Sequence, residues 1–293
     1  MSRLKPTNDF VFKKIFGQDK NSDLLKDLLQ SILTDINIEK VEIDKDVTLE
    51  RKMITDKLGI LDIVATLNNG IKINIEMQME NNKNTVERSL FYTSGVYHEN
   101  LKTGKDYKDI PRTISIWITN YNVFENGPYH ERARLRRDYE YILLTNTFEL
   151  HYIQLTKFKE KCKRISNKLE EWLTFIINEN LEEIKMSNNK YVKKAEEELE
   201  YLTGDAETKR LAYLREKAIR DEQAAIAGAT RRGREEGIQI GIETGIQTGI
   251  QTGIQTNKID TAKKMLAENL DINLIIKITG LTKEEIENIK KDM

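Results

Sequence analysis

The stretch that most constrains the fold is DKLGILDIVATLNNGIKINIEMQME, at residues 56–80. Two strand-like runs meet there at Asn68-Asn69-Gly70, and an Asn-Gly pair between such runs is a strong signal for a two-residue hairpin turn. In the second run apolar and polar residues alternate, as they do along a strand with one buried face. The apolar residues of this run are Ile71, Ile73, Ile75, Met77 and Met79. The stretch therefore predicts a β-hairpin whose second strand has one face in the core.

One carboxylate in the first run contrasts with its neighbours. Asp62 lies in GILDIVATL, a mostly apolar run, and a buried carboxylate is costly unless a cation or hydrogen bonds compensate it. Asp62 and Glu76 are each about six or seven residues from the turn, so a hairpin would bring them together. With the backbone carbonyl of Met77 they would make an oxygen site suited to Mg²⁺, with Mn²⁺ or Ca²⁺ as alternatives. The other interpretation is that Asp62 bonds to the backbone or an arginine and that Glu76 lies at the surface.

Composition excludes several classes of protein. The 47 basic and 48 acidic residues give a net charge of -1, so binding to nucleic acid would need a local basic patch. The single cysteine, Cys162, excludes a disulfide framework and a zinc ribbon. No run approaches the roughly 18 apolar residues of a membrane span, and no signal-type apolar segment opens the chain. We expect a helix-rich cytoplasmic protein without membrane contact.

Helical patterns precede the hairpin. Residues 7–16 begin with Thr-Asn-Asp, any of which can cap a helix. Residues 22–33 predict an amphipathic helix with a leucine-rich buried stripe, with Ser22 as its cap and Asp27 in solvent. Residues 41–53 predict a strand or a strand pair that leads into the hairpin.

A helix and two strands are predicted after the hairpin. Residues 84–101 predict a helix that buries Leu90 and Phe91, among others. Residues 112–121 alternate isoleucine with Ser, Trp and Thr, which indicates a strand, and a further strand is expected at 149–155. The order of helix, hairpin, helix, strand and strand indicates an α/β arrangement.

Two residues of the helix after the hairpin share one of its faces. Arg88 and Tyr92 are four residues apart, and the planar guanidinium of an arginine suits phosphate oxygens. Both side chains could therefore contact a phosphate. The alternative is a surface salt bridge between Arg88 and Glu87.

Four stretches in this order resemble the PD-(D/E)XK nuclease superfamily, and within it the recombination-promoting nuclease (Rpn) and transposase family. They are TNDFVFKKIFG, LDIVATLNNGIKINIEMQ, ERSLFYTSGVY and LKTGKDYKDIPRTISIWITNY, which fall within residues 5–155. The resemblance implies an α/β fold of the restriction-endonuclease type, in which helices flank a mixed sheet. It also implies a helical C-terminal region.

The resemblance implies specific site residues. Asp62 and Glu76 would be metal-binding catalytic carboxylates, and Gln78 stands where the superfamily usually has lysine. Glutamine can orient water by hydrogen bonds but brings no positive charge to the developing negative charge, so we expect slow turnover. The supporting or phosphate-binding residues would be Asp9, Lys13, Arg88 and Tyr92.

The function implied by this resemblance is that of a Mg²⁺-dependent DNA endonuclease in recombination, mobile-element biology or phage defence. Two alternatives stay open. One is a nucleic-acid-binding or oligomeric interaction protein whose nuclease site is silent. The other is a transposase that joins DNA ends, for which the sequence shows no third well-placed acid.

We divide the chain into a nuclease core (1–156), a helical extension (157–232), a Gly-Ile repeat (233–257) and a C-terminal helical module (258–293). The glycines of the repeat recur every four residues, close to the 3.6-residue helical period. Each glycine costs a helix about 1 kcal/mol relative to alanine, so we expect a partner helix to compensate. The sequence favours a homo-oligomer formed through the helical region and the repeat, with a flexible spacer as the alternative.

The C-terminal module is predicted to form three short helices. Gly280 would end the second helix, and Thr282 with Glu285 would form a capping box for the third. The segment is similar to a small helix-turn-helix unit. Because EEIENIKKD is acidic before it is basic, we favour a helical cap or dimer module over a DNA-reading unit.

Overall fold

The computed structural model describes residues 3–44, 62–81, 83–101, 106–162, 164–179 and 181–293. The chain divides into two compact units, Met1–Lys217 and Ala218–Met293. The strand or strand pair predicted at residues 41–53 is described only as far as residue 44. The remainder of that prediction, and residues 56–61 of the hairpin stretch, lie outside the described residues.

The first unit is built on a mixed sheet, which has six strands in the described ranges. The strands are β1 (Val41–Ile43), β2 (Ile63–Leu67), β3 (Lys72–Gln78), β4 (Thr113–Thr119), β5 (His130–Arg134) and β6 (Phe148–Gln154). Their order is β1-β2-β3-β4-β6-β5. β3, β4 and β6 run parallel, and the other neighbouring strands pair antiparallel. The predicted mixed sheet is confirmed, although the sequence did not predict β5.

In the described residues, eight α-helices begin within the first unit. They are α1 (Asp9–Phe16), α2 (Ser22–Ile32), α3 (Thr85–Glu99), α4 (Leu155–Lys161), α5 (Lys168–Ile177), α6 (Leu181–Met186), α7 (Lys190–Gly204) and α8 (Ala206–Ala267). The Asn8 side chain caps α1 by accepting the N–H of Val11 at 3.2 Å. The predicted cap of α2 is wrong, because Ser22 is its first helical residue and Asn21 occupies the cap position.

The β2–β3 hairpin is present, but its loop has three residues. A short 3₁₀ turn covers Asn68–Gly70, and the N–H of Leu67 donates to the carbonyl of Ile71 at 2.8 Å to close it. Gly70 has φ 76°, which fits a three-residue loop that ends in the left-handed region. The predicted two-residue turn is therefore wrong by one residue. The three-residue loop gives the register in which Asp62 falls opposite Glu76.

One face of the sheet is apolar and carries the main core. Ile73, Ile75 and Met77 of β3 are buried on it, together with the isoleucines of β4. The helices packed there supply Phe12, Phe16, Leu24, Leu25, Leu28, Leu29, Trp172, Leu173, Phe175, Val192 and Leu199 to the same cluster. We call residues 1–156, which include the sheet, the sheet domain. The helical segment after residue 157 packs on it through α5 and α7. The proposed divisions after residues 156, 232 and 257 stay predictions.

Asp27 does not lie in solvent, as the sequence predicted. Its Oδ2 accepts hydrogen bonds from the Trp172 indole at 3.0 Å and from the Asn189 amide at 2.7 Å. The apolar pattern of α2 could not reveal this position, because both donors come from helices about 150 residues later in the chain. Asp27 therefore ties α2 to α5 and α7.

The opposite face of the sheet is covered by α3, which packs through small polar residues. Thr85, Ser89 and Thr93 are buried, and Ser89 shares a 2.6 Å hydrogen bond with the Tyr152 hydroxyl of β6. Leu90 and Phe91 are 42% and 49% exposed, so their predicted burial is wrong. A sheet face that carries Asn, Ser and Tyr side chains needs hydrogen-bonding partners, and this requirement selects the polar stripe of the helix.

The second unit contains α8 from residue 218 onward, α9 (Ile272–Thr279) and α10 (Lys283–Lys291). Gly280, at φ 69°, ends α9, and Thr282 with Glu285 forms the predicted capping box of α10. The first of the three predicted short helices is instead the last part of the 62-residue α8. No helix in the described ranges is long and apolar enough to span a membrane.

Candidate active site

The register of the β2–β3 hairpin brings the two predicted carboxylates together. Ile63 pairs with Ile75, so Asp62, one residue before β2, lies beside Glu76. Asp62 Oδ2 accepts the backbone N–H of Met77 at 2.8 Å. The alternative interpretation, without a metal, predicted that Asp62 bonds to the backbone, and this contact agrees with it. The same interpretation predicted that Glu76 lies at the surface, and it does not.

Glu76 is a buried carboxylate with incomplete compensation. It is 2% exposed, and its Oε1 has no hydrogen-bond partner in the described part of the protein. Burial raises the pKa of Glu76 well above its usual value, and the charge of Asp62 raises it further. The Asn74 side chain and the positive charge of Arg88 oppose this rise without cancelling it. Among the described residues, no basic side chain forms a salt bridge with this carboxylate.

Asp62 is perturbed in the same direction. Burial raises its pKa to about 6, while the hydrogen bond from the Met77 N–H lowers it. The negative charge of Asp9 raises the pKa, and the positive charges of Arg215 and Lys13 lower it. Two neighbouring carboxylates that both resist ionisation are typical of a site built to hold a cation or to exchange a proton.

Helix α1 places Asp9 and Lys13 at this site. The two residues are one helical turn apart and share a face. Asp9 Oδ2 accepts a 2.6 Å hydrogen bond from Nε of Arg215, which belongs to α8. Sequence reasoning missed Arg215, since an exposed arginine in a charged helix 206 residues away carries no local signal.

Gln78, Arg88 and Tyr92 form the other side of the site. Arg88 Nη1 donates to Gln78 Oε1 at 3.3 Å. The Arg88 guanidinium also lies 5.6 Å from the Tyr92 ring centroid and 5.8 Å from that of Trp117. These distances are those of cation–π contacts. The alternative salt bridge with Glu87 is not among the contacts that the described residues show for Arg88.

Asn74 is a second residue that the sequence analysis did not single out. It lies two residues before Glu76 on the same face of β3, is fully buried, and donates to the Ser115 hydroxyl at 3.3 Å. The alternation of β3 could have identified it, because Lys72, Asn74, Glu76 and Gln78 form one polar face. The Asn74 side chain interacts with Glu76 and lowers the pKa of that carboxyl.

The donor set at this site fits a hard divalent cation. Two carboxylates and the main-chain carbonyl of Met77 supply oxygen ligands, and Mg²⁺ commonly binds one or two carboxylates and keeps several waters. The partnerless Glu76 Oε1 is a ligand atom without another role in the described residues. A cluster of three or more His, Cys, Asp or Glu side chains placed to hold a metal does not occur in the described ranges. The fit therefore rests on two carboxylates with main-chain and water oxygens.

Comparison with known families agrees with this geometry. A family model described as PD-(D/E)XK nuclease family transposase matches residues 6–229. The chain belongs to this family. The match covers the sheet, helices α1 to α7 and the first part of α8, so the PD-(D/E)XK segment includes Arg215 as well as Asp62 and Glu76.

A second family model assigns the end of the chain. The Rpn/YhgA-like nuclease family, C-terminal HTH domain, matches residues 255–291. The Rpn resemblance is confirmed by the two matches together. The HTH assignment agrees with the similarity noted for this segment, and the preference for a cap or dimer role over DNA reading stays a prediction. The chain matched neither a curated protein nor a solved structure.

Proposed function

We propose that this protein is a metal-dependent DNA endonuclease that hydrolyses phosphodiester bonds in the cytoplasm, in recombination, mobile-element biology or phage defence. Membership of the PD-(D/E)XK nuclease family transposases and the HTH domain support a nuclease or transposase-like activity on DNA. Metal dependence and internal cleavage are the finer parts of the proposal. Mg²⁺ is the cation that we expect, with Mn²⁺ or Ca²⁺ as substitutes for binding.

The observation that carries the proposal is the pairing of Asp62 with Glu76. Two carboxylates meet in adjacent strands, their pKa values are raised mainly by burial, and one oxygen of Glu76 has no partner among the described atoms. Such a pair destabilises a fold, because an uncompensated buried carboxylate is costly, and such costs are expected at functional sites. Binding a divalent cation would compensate the two charges.

The residues of the site divide the work of hydrolysis. Asp62, Glu76 and the Met77 carbonyl would hold the cation, which when bound polarises a phosphodiester oxygen and lowers the pKa of the attacking water. Gln78 would orient that water through its amide. Asp9 lies close enough to Asp62 to affect its charge state, and Lys13 offers a flexible ammonium to a phosphate.

Arg88 accounts for the missing lysine. Its guanidinium donates to Gln78 Oε1 at 3.3 Å, and its charge lowers the pKa of Glu76. A permanent positive charge therefore contacts the glutamine that stands in the lysine position of the superfamily. Tyr92 and Trp117 hold the guanidinium plane in place. This arrangement supports catalysis by a site that has glutamine in the lysine position.

Plasmid cleavage by the full-length protein tests the proposal. Wild type, Asp62→Asn and Glu76→Gln are compared in Mg²⁺, Mn²⁺ and EDTA, with the exposed Glu125→Gln as matched control. We expect wild type and the control to cut only with metal, and both site variants to lose at least about a hundredfold in rate. Circular dichroism and gel filtration check that each variant is folded. Unchanged cleavage by either site variant would discard the site assignment.

The alternatives have different outcomes in the same assay. A silent binding protein would shift the mobility of DNA without cutting it under any metal. A transposase would yield joined strand-transfer products in place of simple nicks. The charge of Asp9 raises the pKa of Asp62, but the described residues hold no group of three His, Cys, Asp or Glu side chains placed to bind a metal, so the expectation of no third well-placed acid is kept.

We also propose that copies of the chain associate through the Gly-Ile repeat. Ile238, Ile242, Ile246, Ile250 and Ile254 are each between 53% and 57% exposed on α8. A Cβ added to any glycine from Gly233 to Gly253 would meet nothing within 4 Å. Glu243 is the only charged residue between 237 and 257, so two copies of this segment would not repel each other as the flanking charged segments would. A second helix can therefore approach closely along this stripe.

A further inference from the structure

We propose that Arg215 of α8 is a substrate-binding residue of the nuclease site, where its guanidinium contacts a phosphate of the DNA strand that lies over Asp62 and Glu76. The inference rests on the proposed function and adds to it a residue from outside the sheet domain. If Arg215 has this role, the first part of α8 contributes to the active site and also connects it to the rest of the chain.

The first turns of α8 are fixed against the N-terminal end of α1. The Asn8 amide donates to the Ala212 carbonyl at 3.3 Å and to Glu216 Oε1 at 3.4 Å. Ala212 is 2% exposed and belongs to the main core cluster. Asn8 also caps α1, so a single side chain joins the start of α1 to α8. Arg215 is therefore presented from a fixed helix surface.

The Arg215 guanidinium lies directly on Asp9. Both Nε and Nη2 are 2.6 Å from Asp9 Oδ2. The Arg215 side chain is 53% exposed, whereas that of Asp9 is 16% exposed. Asp9 thus holds the guanidinium, while about half of the Arg215 side chain stays accessible to a DNA strand.

Arg215 brings positive charge to the carboxylates of the site. The charge of Asp9 acts on Asp62, the charge of Asp62 acts on Glu76, and a phosphodiester that approached these carboxylates alone would be repelled. Arg88 of α3 contacts Gln78 and Tyr92, and its charge reaches Glu76. Arg215 of α8 contacts Asp9, and its charge reaches Asp62. Two arginines from different helices therefore act on the carboxylate pair, and each can offer a planar donor to a phosphate.

DNA binding without turnover provides the first test. Affinity for a fluorescein-labelled 20-base-pair duplex is measured with Mg²⁺ over a range of NaCl concentrations, in an Asp62→Asn background that removes cleavage. Loss of one phosphate contact lowers the slope of log K against log[salt] by about 0.9. We expect Arg215→Gln to show this change and a roughly tenfold weaker affinity. The matched control is Arg210→Gln, an exposed arginine about 140° away around the same helix. Equal slopes for the Arg215 and Arg210 variants would overturn the proposal.

A double-mutant cycle separates substrate binding from support of Asp9. If Arg215 acts only by holding Asp9, Asp9→Asn removes its role, and adding Arg215→Gln changes KM no further. We expect Arg215→Gln to raise KM for cleavage about tenfold with a smaller effect on kcat, in both the wild-type and the Asp9→Asn backgrounds. Arg215→Lys should recover part of the loss, because it restores the charge but not the fork. A wild-type protein that does not cut would reject the proposed nuclease function, while the salt-slope measurement would still decide the role of Arg215.

Discussion

At the scale of single residues, two buried glutamates show how the protein treats charge differently at its site and in its framework. Burial raises the pKa of Glu76 and of Glu149 alike, but hydrogen bonds from His151, Arg132 and Arg112 hold the pKa of Glu149 far below its usual value. Glu149 is fully buried and fully compensated, and Glu76 is buried and undercompensated. In the described residues Glu149 and Glu196 form salt bridges with arginines and Glu76 shows none, and this difference supports the proposed functional role of Glu76.

The compensated cluster extends to the edge of the sheet. Arg112 Nη2 and Arg132 Nη2 each lie 2.8 Å from Glu149 Oε2. His151 Nε2 is 2.6 Å from Glu149 Oε1, and the other ring nitrogen of His151 is 2.8 Å from Nε2 of His130 on β5. Burial lowers the pKa of His130 to about 4, and electrostatic interactions with His151 and Arg132 lower it as well. The cluster therefore disfavours a proton on His130.

The shift of His130 predicts that this residue lowers stability in mild acid. With a folded pKa near 4 and an ordinary value of 6.5, His130 binds fewer protons in the folded than in the unfolded chain between these two pH values. Its contribution to the free energy of unfolding should thus fall by about 2 kcal/mol from pH 7.5 to pH 5. The raised pKa values of Asp62 and Glu76 act in the opposite direction over this range, so the contribution of His130 is measured as the difference between wild type and His130→Gln in urea denaturation at pH 7.5, 6 and 5.

The chain offers a matched control for that experiment. It has three histidines, and His98 is exposed on α3. We expect His130→Gln to remove this loss, so that its stability relative to wild type rises by about 2 kcal/mol from pH 7.5 to pH 5, whereas His98→Gln should keep the pH dependence of wild type. A His130→Gln protein that keeps the wild-type slope would show that another group is responsible.

At the scale of elements, the sequence predicts what depends on near neighbours. The β2–β3 hairpin, the cap of α1 by Asn8 and the capping box of α10 each involve residues close in the chain. The carboxylate pair follows from the hairpin register, and Arg88 with Tyr92 follows from helical spacing. These features could be read from the sequence because turn chemistry and periodicity fix them locally.

What the sequence did not predict depends on distant partners. The exposure of Leu90 and Phe91 follows from the polar sheet face beneath α3, and the bonds of Asp27 come from α5 and the start of α7. Arg215 reaches Asp9 from 206 residues away. The sequence pattern of a helix predicts that its apolar residues are buried. In α3 the buried residues are instead Thr and Ser, and this depends on the polar sheet face that α3 packs against.

The loop of the hairpin gives a prediction for Gly70. At φ 76° a Cβ has room, since its nearest neighbour would be the Pro111 side chain at 3.9 Å, so the cost of Gly70→Ala is conformational. We expect a loss of about 1 kcal/mol in the free energy of unfolding. Gly204→Ala, at the end of α7 with nothing within 4 Å, should be neutral or stabilising. Urea denaturation of both variants measures the difference, and equal stability would contradict the left-handed assignment of Gly70.

At the scale of the whole molecule, the core of the first unit is shared between the sheet domain and the helices that follow it. Trp172 and Phe175 of α5 pack against Phe16 of α1, with ring centroids 5.5 and 6.4 Å away. Val192 and Leu199 of α7 belong to the same cluster. The helices after residue 157 are therefore required for the core that supports the active site.

Truncation tests this dependence. We expect a chain ending at residue 217 to fold and unfold cooperatively, because it holds all of the first compact unit. A chain ending at residue 156 should be unfolded or aggregated, since loss of large buried side chains costs about 3 kcal/mol or more each and a typical domain has only 5 to 15 kcal/mol in all. Circular dichroism melting and gel filtration distinguish the two. A stable, soluble 1–156 fragment would show that the sheet domain is independent of α5 and α7.

The Gly-Ile repeat gives opposite predictions for helix stability and for assembly. Replacing Gly237, Gly241, Gly245 and Gly249 by alanine should stabilise α8 by about 1 kcal/mol for each residue, because each added Cβ meets open space within one chain. If two copies pack along this stripe, the same methyl groups hold the helices apart and weaken association.

Analytical ultracentrifugation and circular dichroism of full-length protein separate these two effects. We expect the four-alanine variant to gain helix content and to shift toward monomer, at concentrations where wild type is associated. Gly204→Ala serves as the control, since it adds a methyl group outside the repeat. A variant that gains helix and associates as wild type does would show that the glycines do not form the contact between copies. A wild type that is monomeric at every concentration would reject self-association itself.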